Sequence, residues 1–435
     1  MPIASPNTTA NTTSAPSTGQ SYGAPLATVT TLFFMWGFLT CLNDILVPHL
    51  KAIFDLNYTR VMLIQFAFFG AYFIFSIPSA KIIDWMGYQR SMVLGLLTMG
   101  VGAFLFVPAA SVPSYPLFLG ALIVLAAGIT CLQVAANPYV TVLGKPETAS
   151  SRLNLTQAFN SLGTFLAPFF GGLLILSSAP KTADQIRAMA PDAALAYRLH
   201  EAATVKMPYV GLGIALVLLA VAIGSFKLPK IEHAQHKVGE KVNDSIWRHP
   251  NLIFGAIAIF VYVGAEVSIG SFLVNYFAQP EIGGLTEKVA ASFVAFYWGG
   301  AMVGRFIGSA LLQKMKTGGL LGICAVCAAG LVAISMLTSG HFAMYSIILV
   351  GFFNSIMFPS IFTLGVAELG PLTGDGSGIM IMAIVGGAII PVAQGWIADH
   401  IGIHHAFFLP VICYVYILFF ALSGSKPNSE RYAKA

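Results

Sequence analysis

The sequence contains few charged residues. Asp, Glu, Lys and Arg make up 9% of its 435 residues, whereas a soluble globular domain contains about 25%. Hydrophobic residues reach 57% and the mean hydropathy is +0.80. This low charge excludes an ordinary soluble protein. The apolar runs are continuous rather than alternating, which excludes a membrane β-barrel and predicts an all-α polytopic membrane protein.

Catalytic and metal-binding motifs are also lacking. The sequence has no H-E-x-x-H, no phosphate-binding P-loop and no recognisable Ser/His/Asp motif. Its five cysteines lie in apolar segments. Cys324 and Cys327 form a C-x-x-C without a second pair of ligands, which favours packing over metal binding. We therefore predict a protein that is not an enzyme and that has neither cofactor nor metal.

Twelve apolar segments are present, each long enough to cross a bilayer as a helix of about 20 residues. They lie at 26–50, 61–80, 91–111, 115–143, 154–178, 207–228, 251–277, 289–312, 319–338, 342–367, 376–398 and 404–424. The predicted organisation is a disordered N-terminal tail at 1–24, an N-terminal six-helix half at 25–228, a cytoplasmic linker at 229–250, a C-terminal six-helix half at 251–425 and a cytoplasmic tail at 426–435.

The distribution of Lys and Arg predicts the orientation of the chain. If both termini are cytoplasmic, fourteen of these residues fall on the inner side and seven on the outer side. Cytoplasmic loops of membrane proteins are enriched in Lys and Arg. We therefore predict a multi-pass protein of the inner (plasma) membrane with both termini in the cytoplasm.

The two halves repeat each other in sequence. Pro138 and Pro359 are 221 positions apart, and Gly163 and Gly386 are 223 positions apart. A repeat that keeps its register across two helices predicts two pseudo-symmetric halves, with a binding site between them near the midplane.

Two carboxylates, Asp44 and Glu266, lie inside long apolar runs. They are 222 positions apart, which is the register of the repeat. A charge at membrane depth costs a few kcal/mol even on lenient insertion scales, and such residues usually belong to a pathway or a relay. We therefore predict that Asp44 and Glu266 are counterparts in the first helix of each half and couple a cation to transport.

Five stretches together are typical of one transporter family. They are LNDILVPH at 42–49, QVAANPY at 133–139, RLNLTQAFNS at 152–161, YVGAE at 262–266 and FPSIFTLG at 358–365. In these stretches the chain resembles a major facilitator superfamily transporter. It resembles more closely the fucose–glucose–galactose sugar/cation symporters, in their glucose/galactose branch. The resemblance extends from the first helix to the tenth.

The resemblance implies a coupling role for Asp44. In fucose symporters that resemble this chain, the aspartate in the first helix is protonated, and a glutamate in the fourth helix binds sugar and relays the proton. In this chain the position of that fourth-helix glutamate is occupied by Gln133, which cannot titrate but can bind a hydroxyl. We interpret Glu266 as a replacement acid that shares the relay, binds sugar or helps to hold Na⁺. The alternative is a buried acid that neutralises Arg305.

Amides and aromatic rings are the candidates for sugar binding, because an amide both donates and accepts hydrogen bonds without a charge. The predicted substrate-binding residues are Asn43, Gln133, Asn137, Gln157, Asn160, Tyr262, Trp298 and Asn354. The alternatives are hydrogen bonds between helices for the amides and lipid-interface contacts for the rings.

The stretch DWMGYQR at 84–90 resembles the superfamily's cytoplasmic loop motif between the second and third helices. The resemblance implies an inner gate in which Asp84 caps a helix end and pairs with a basic residue, with Gly87 and Arg90 in the same loop. Arg305, expected toward the inner end of the eighth helix, is the remaining predicted gating residue. The alternative is a solvated turn.

These observations predict a secondary active transporter that imports a hexose by alternating access. The predicted substrate is glucose, galactose or a related sugar such as fucose or mannose, and the preferred coupling ion is H⁺. The alternatives are a Na⁺-coupled symporter, or a sugar uniporter or metabolite exporter of the same fold. The expected partners are the sugar, the co-transported cation and the lipid bilayer, without nucleic acid, and the expected state is a monomer.

Overall fold

The computed structural model describes residues 22–54, 58–112, 114–174, 185–186, 188–204, 206–229 and 244–427. Side chains are described for the same residues except 42–54, 58–63, 65, 169–174, 201, 202, 204 and 287.

The predicted twelve-helix fold is confirmed. Helices 1 to 6 are Gly23–Phe54, Tyr58–Met86, Tyr88–Ser111, Tyr115–Val142, Ala149–Leu174 and Lys206–Ser225. Helices 7 to 9 are Pro250–Ala278, Glu287–Leu311 and Thr317–Leu337. Eleven helices of the described chain are long and apolar enough to cross a membrane, and Ala149–Leu174 completes the set. Continuous helices form because a bilayer offers the backbone no hydrogen-bond partners.

The last three helices are interrupted. Helix 10 consists of Gly340–Asn354 and Met357–Gly365. Helix 11 consists of Thr373–Met382, the 3₁₀ turn Ala383–Val385 and Gly386–Ile401, and helix 12 consists of Ile403–Ala406, Phe408–Phe419 and a π-helical turn at Phe420–Gly424. The sequence predicted one unbroken segment for each of these helices, because hydropathy does not report a local change in hydrogen bonding. Discontinuous helices often line the binding sites of transporters.

The predicted pseudo-symmetry is visible in two close helix contacts. A Cβ atom at Gly163 would overlap the carbonyl oxygen of Phe34, and one at Gly386 would overlap that of Phe260. Only glycine permits such an approach of two backbones. Helix 5 therefore packs on helix 1 as helix 11 packs on helix 7, so the repeated glycines have the same role in both halves.

The two halves meet near one membrane face, which we call the linker face. It contains the loop at Gly87, the short helix Pro146–Thr148 and the ends of the central linker at residues 229 and 244. Hydrogen bonds between the halves join Lys81 to Asp375 (2.7 Å), Ser377 to the Val134 carbonyl (2.8 Å), Ser150 to Thr363 (2.6 Å) and Ser151 to the Ser309 carbonyl (2.8 Å). The halves are thus closed against each other at this face.

Candidate functional site

A hydrogen-bonded network surrounds Glu266 in the second half. The Tyr262 hydroxyl donates to Glu266 Oε1 at 2.8 Å and lies 3.1 Å from the carbonyl oxygen of Asn354. Tyr262 is one helical turn before Glu266 on helix 7, so the two side chains share a face. Glu266 is partly buried and Tyr262 is fully buried. The carboxylate is therefore held in position by its own helix.

Asn354 extends this network to two further tyrosines. Its Nδ2 donates to the Tyr297 hydroxyl at 2.9 Å, and its Oδ1 accepts a hydrogen bond from the Tyr414 hydroxyl at 2.8 Å. All three residues are 0% exposed. Every polar atom of the Asn354 side chain is thus engaged, which orients Tyr297 of helix 8 and Tyr414 of helix 12 toward the interruption in helix 10.

The interruption of helix 10 leaves two carbonyl groups near this network. The Asn354 carbonyl oxygen faces the Tyr262 hydroxyl, and the Ser355 carbonyl oxygen accepts a hydrogen bond from Arg305 Nε at 3.2 Å. Side chains therefore bond to backbone groups that lie at the break. Arg305 also interacts electrostatically with Glu266.

The first half contributes a buried amide cluster. Gln133 Nε2 donates to the Tyr72 hydroxyl at 2.7 Å, and Gln157 Nε2 donates to Asn137 Oδ1 at 3.4 Å. Asn137 is 0% exposed, and its Nδ2 has no hydrogen-bond partner among the described residues. An unpaired buried donor is costly, so this amide is the best candidate in the first half for bonding a ligand.

Two predicted binding residues lie outside these hydrogen-bonded clusters. Asn160 Nδ2 donates to the Phe33 carbonyl at 2.9 Å, which joins helix 5 to helix 1. Trp298 is 46% exposed and packs against Gly270 of helix 7. The hydrogen bond of Asn160 agrees with the alternative that it holds helices together. Trp298 contacts the network through its ring, which lies edge-to-face against Tyr297 with the ring centroids 5.1 Å apart.

Asn43 and Asp44 lie in helix 1, but their side chains are outside the described residues. The coupling role of Asp44 and the binding role of Asn43 remain predictions from the sequence.

The predicted gating loop contributes a cluster of charges at the linker face. Lys81 Nζ lies 2.7 Å from Asp375 Oδ1 of helix 11 and 3.6 Å from Asp84 Oδ2. Gly87 lies between helices 2 and 3 and has a φ angle of 83°, a backbone conformation that residues with a side chain rarely adopt. Arg90 is exposed at the start of helix 3. Lys81, which the sequence did not single out, is therefore a cation beside Asp84.

Replacing Asp375 with Asn is expected to lower the ratio of molecules closed at the linker face to open molecules about twofold. The effect is small because an exposed ion pair contributes little free energy. The distance between spin labels at Glu147→Cys and Gln313→Cys, both exposed at this face in different halves, measures the open fraction. Asp399→Asn removes an acid from the opposite end of helix 11 and is the matched control. Equal effects of the two substitutions would contradict the assignment.

Arg305 also connects the two halves. Its guanidinium donates through Nη1 to the Ser161 hydroxyl of helix 5, and its carbonyl oxygen accepts a hydrogen bond from Asn154 Nδ2 at 2.7 Å. Arg305, one of the four predicted gating residues, thus contacts both halves and the Glu266 network. Among the described side chains, no group of three or more His, Cys, Asp or Glu is arranged to hold a metal ion.

The sequence did not indicate several members of this site. Tyr72, Tyr297 and Tyr414 are tyrosines in apolar helices, and sequence alone does not separate a buried hydroxyl from a lipid-interface ring. Ser161 belongs to the RLNLTQAFNS stretch, and its contact with Arg305 depends on the packing of helices 5 and 8.

The comparison with known families identifies the class of protein. Residues 26–384 match the Major Facilitator Superfamily. The chain therefore belongs to this superfamily, as its two six-helix halves indicate.

Two groups of known proteins are similar to the chain. It is 54% identical over 410 residues to a glucose/galactose transporter of Brucella abortus biovar 1 (strain 9-941), covering 94% of this chain and 96% of that protein. It is 37% identical over 409 residues to the L-fucose-proton symporter of Escherichia coli K12, covering 92% and 93%. A crystal structure of the E. coli fucose:proton symporter superposes with a TM-score of 0.87 at 35% identity, covering 94% of this chain and 100% of that one.

Proposed function

We propose that this protein imports a hexose, either glucose, galactose or a related sugar such as fucose or mannose, by symport with H⁺. The main support from the geometry is the pairing of a buried amide cluster in one half with the Glu266, Tyr262 and Asn354 network in the other. Such groups match a neutral ligand that is rich in hydroxyls, because each amide or hydroxyl both donates and accepts. The relatives named above support the same substrate class.

Alternating access accounts for the transport step. The halves are closed at the linker face, and a fucose:proton symporter structure in the outward conformation superposes with a TM-score of 0.86. We infer that sugar and proton enter from the opposite face. The halves then rock about the site, and the contacts of Lys81, Asp84 and Arg305 at the linker face separate. Sugar and proton each favour binding of the other, with a reciprocal coupling free energy.

Within this proposal the residues divide into three groups. Asp44 and Glu266 serve cation coupling, and Asp84, Gly87, Arg90 and Arg305 serve the gate. The sugar is bound by residues from both halves, chosen from Asn43, Gln133, Asn137, Gln157, Asn160, Tyr262, Trp298 and Asn354. We further propose that the linker face is cytoplasmic, because the Lys and Arg excess lies there, that the membrane is the inner membrane, and that the unit is a monomer.

Uptake by purified protein in liposomes tests the proposal. We expect accumulation of labelled glucose or galactose when an inward proton gradient is imposed, and loss of accumulation when a protonophore removes the gradient. Uptake that depends on sodium instead would favour the Na⁺-coupled alternative. Equilibration without any gradient dependence would favour a uniporter, and absence of uptake for all four hexoses would contradict the proposal.

Replacing Gln133 with Leu is expected to lower the apparent sugar affinity about tenfold, because a ligand hydrogen bond and the hydrogen bond to the Tyr72 hydroxyl are lost. The concentration dependence of sugar counterflow measures this change. Thr130→Ala is the control: Thr130 is equally buried on helix 4, and its hydroxyl bonds only within its own helix, to Ala126. An equal loss in both variants would indicate general damage to helix 4.

A further inference from the structure

Arg305 is shared between the two halves in this closed arrangement. It belongs to helix 8, yet its guanidinium donates to Ser161 of helix 5 and to the Ser355 carbonyl at 3.2 Å. Its own carbonyl oxygen is bonded by Asn154 of helix 5. When helix 5 separates from helix 8, the bond to Ser161 is lost, while the group at the helix 10 break stays in the same half as Arg305.

Glu266 is an anion that interacts with this cation. Among the described residues, the charged and titratable groups that interact with Glu266 are Tyr262, Tyr297, Tyr414 and Arg305, and Arg305 is the cation in this set. Among the described side chains, Arg305 and Glu266 form no ion pair within 4 Å; Tyr262 holds the carboxylate at 2.8 Å instead. The two charges are thus near each other but directed to different partners.

We propose that Arg305 is a positioning residue that exchanges partners during transport. It bonds Ser161 while the linker face is closed and pairs with Glu266 when that face opens. The physical reason is that a charge at membrane depth is costly unless it is paired. Opening withdraws Ser161 together with the first half, whereas Glu266 remains in the same half as Arg305. The exchange rests on the proposed alternating-access function and adds to the coupling role of Glu266 that of a counter-charge to Arg305.

Partner exchange predicts opposite effects for two substitutions. Ser161→Ala removes a bond of the closed state and should raise the ratio of open to closed molecules about tenfold, as expected for loss of a hydrogen bond to a charged group. Glu266→Gln removes the partner of the open state and should lower the same ratio about fivefold. A merely structural role of these residues would not shift the ratio in opposite directions.

The experiment measures distances between spin labels at Glu147→Cys and Gln313→Cys, in lipid nanodiscs and without sugar, in a chain whose five native cysteines are replaced. Ser151→Ala is the matched control, because Ser151 also bonds across the halves, to Ser309, without using Arg305. In an Arg305→Gln background the effects of Ser161→Ala and Glu266→Gln should both fall below twofold, while that of Ser151→Ala persists. Arg305→Lys, which keeps the charge, should retain the direction of the Glu266→Gln effect.

Shifts of the same sign for Ser161→Ala and Glu266→Gln would overturn the exchange, as would shifts that persist in the Arg305→Gln background. The distances are measured without substrate. Failure of hexose uptake would therefore contradict the proposed function and leave this test intact, and normal uptake with unshifted distances would contradict the exchange alone.

Discussion

Replacing Asp44 with Asn is expected to abolish gradient-driven accumulation of sugar while leaving sugar exchange across the membrane in place. An asparagine keeps the size of the side chain and can still form hydrogen bonds, but it cannot bind and release a proton. A carrier that no longer moves the proton with the sugar can only equilibrate the sugar. The measurement is the internal sugar concentration in liposomes at long times under a proton gradient, compared with counterflow in the same preparation.

The Glu266→Gln variant is compared with Asp44→Asn in the same accumulation measurement. If Glu266 acts through Arg305, its neutral variant should slow uptake but still reach accumulation above equilibrium, because the proton is bound elsewhere. Full accumulation by Asp44→Asn would remove that residue from the coupling step. Loss of accumulation in both variants would instead support a relay between the two acids, which was one of the roles predicted for Glu266 from the sequence.

Replacing Asn354 with Leu is expected to abolish transport and to destabilise the protein. Asn354 is the partner of both Tyr297 and Tyr414, and all three are fully buried. Leucine has the same branched shape and number of side-chain heavy atoms but leaves two buried hydroxyls unpaired, at about 1–3 kcal/mol each. We therefore expect the free energy of unfolding to fall by about 2–6 kcal/mol. Thermal unfolding in detergent and sugar counterflow measure the two effects.

Ser346→Ala is the control for this substitution. Ser346 is a buried polar residue of the same helix, and its hydroxyl bonds only to Phe342 one turn away. Its loss should change the free energy of unfolding by less than about 1 kcal/mol. A well-folded Asn354→Leu variant with normal counterflow would show that the network of Tyr262, Tyr297 and Tyr414 plays no part in transport.

The fold could be predicted from the sequence because hydrophobic length sets the number of helices. Each of the twelve apolar segments corresponds to a helix, and the repeated Gly163 and Gly386 occupy equivalent helix contacts. The interruptions at residues 355–356 and 383–385 could not be predicted, because the sequence there is as apolar as its surroundings. At the break in helix 10, side chains from other helices, Arg305 and Tyr262, bond to the backbone, and these contacts are set by helix packing.

The site was only partly predictable. Glu266 was identified because a carboxylate in an apolar run is costly, and Gln133, Asn137 and Gln157 were identified as amides within the family-like stretches. The structure pairs Gln157 with Asn137 but directs Asn160 to the backbone of helix 1. Which amides remain available for a ligand therefore depends on neighbouring helices.

The sequence by itself determined that this protein is a multi-pass helical membrane protein with two repeated halves, because continuous apolar length and internal register are properties of the linear sequence. The transporter class followed from the resemblance of five stretches to the major facilitator superfamily. The two costly acids, Asp44 and Glu266, were also evident in the sequence. Only the tertiary structure decided which side chains contact each other. Lys81 pairs with Asp375, Arg305 bonds to Ser161, and Asn354 bonds to two tyrosines. Such contacts join residues that are far apart in the chain, and the distance between two side chains is set by helix packing.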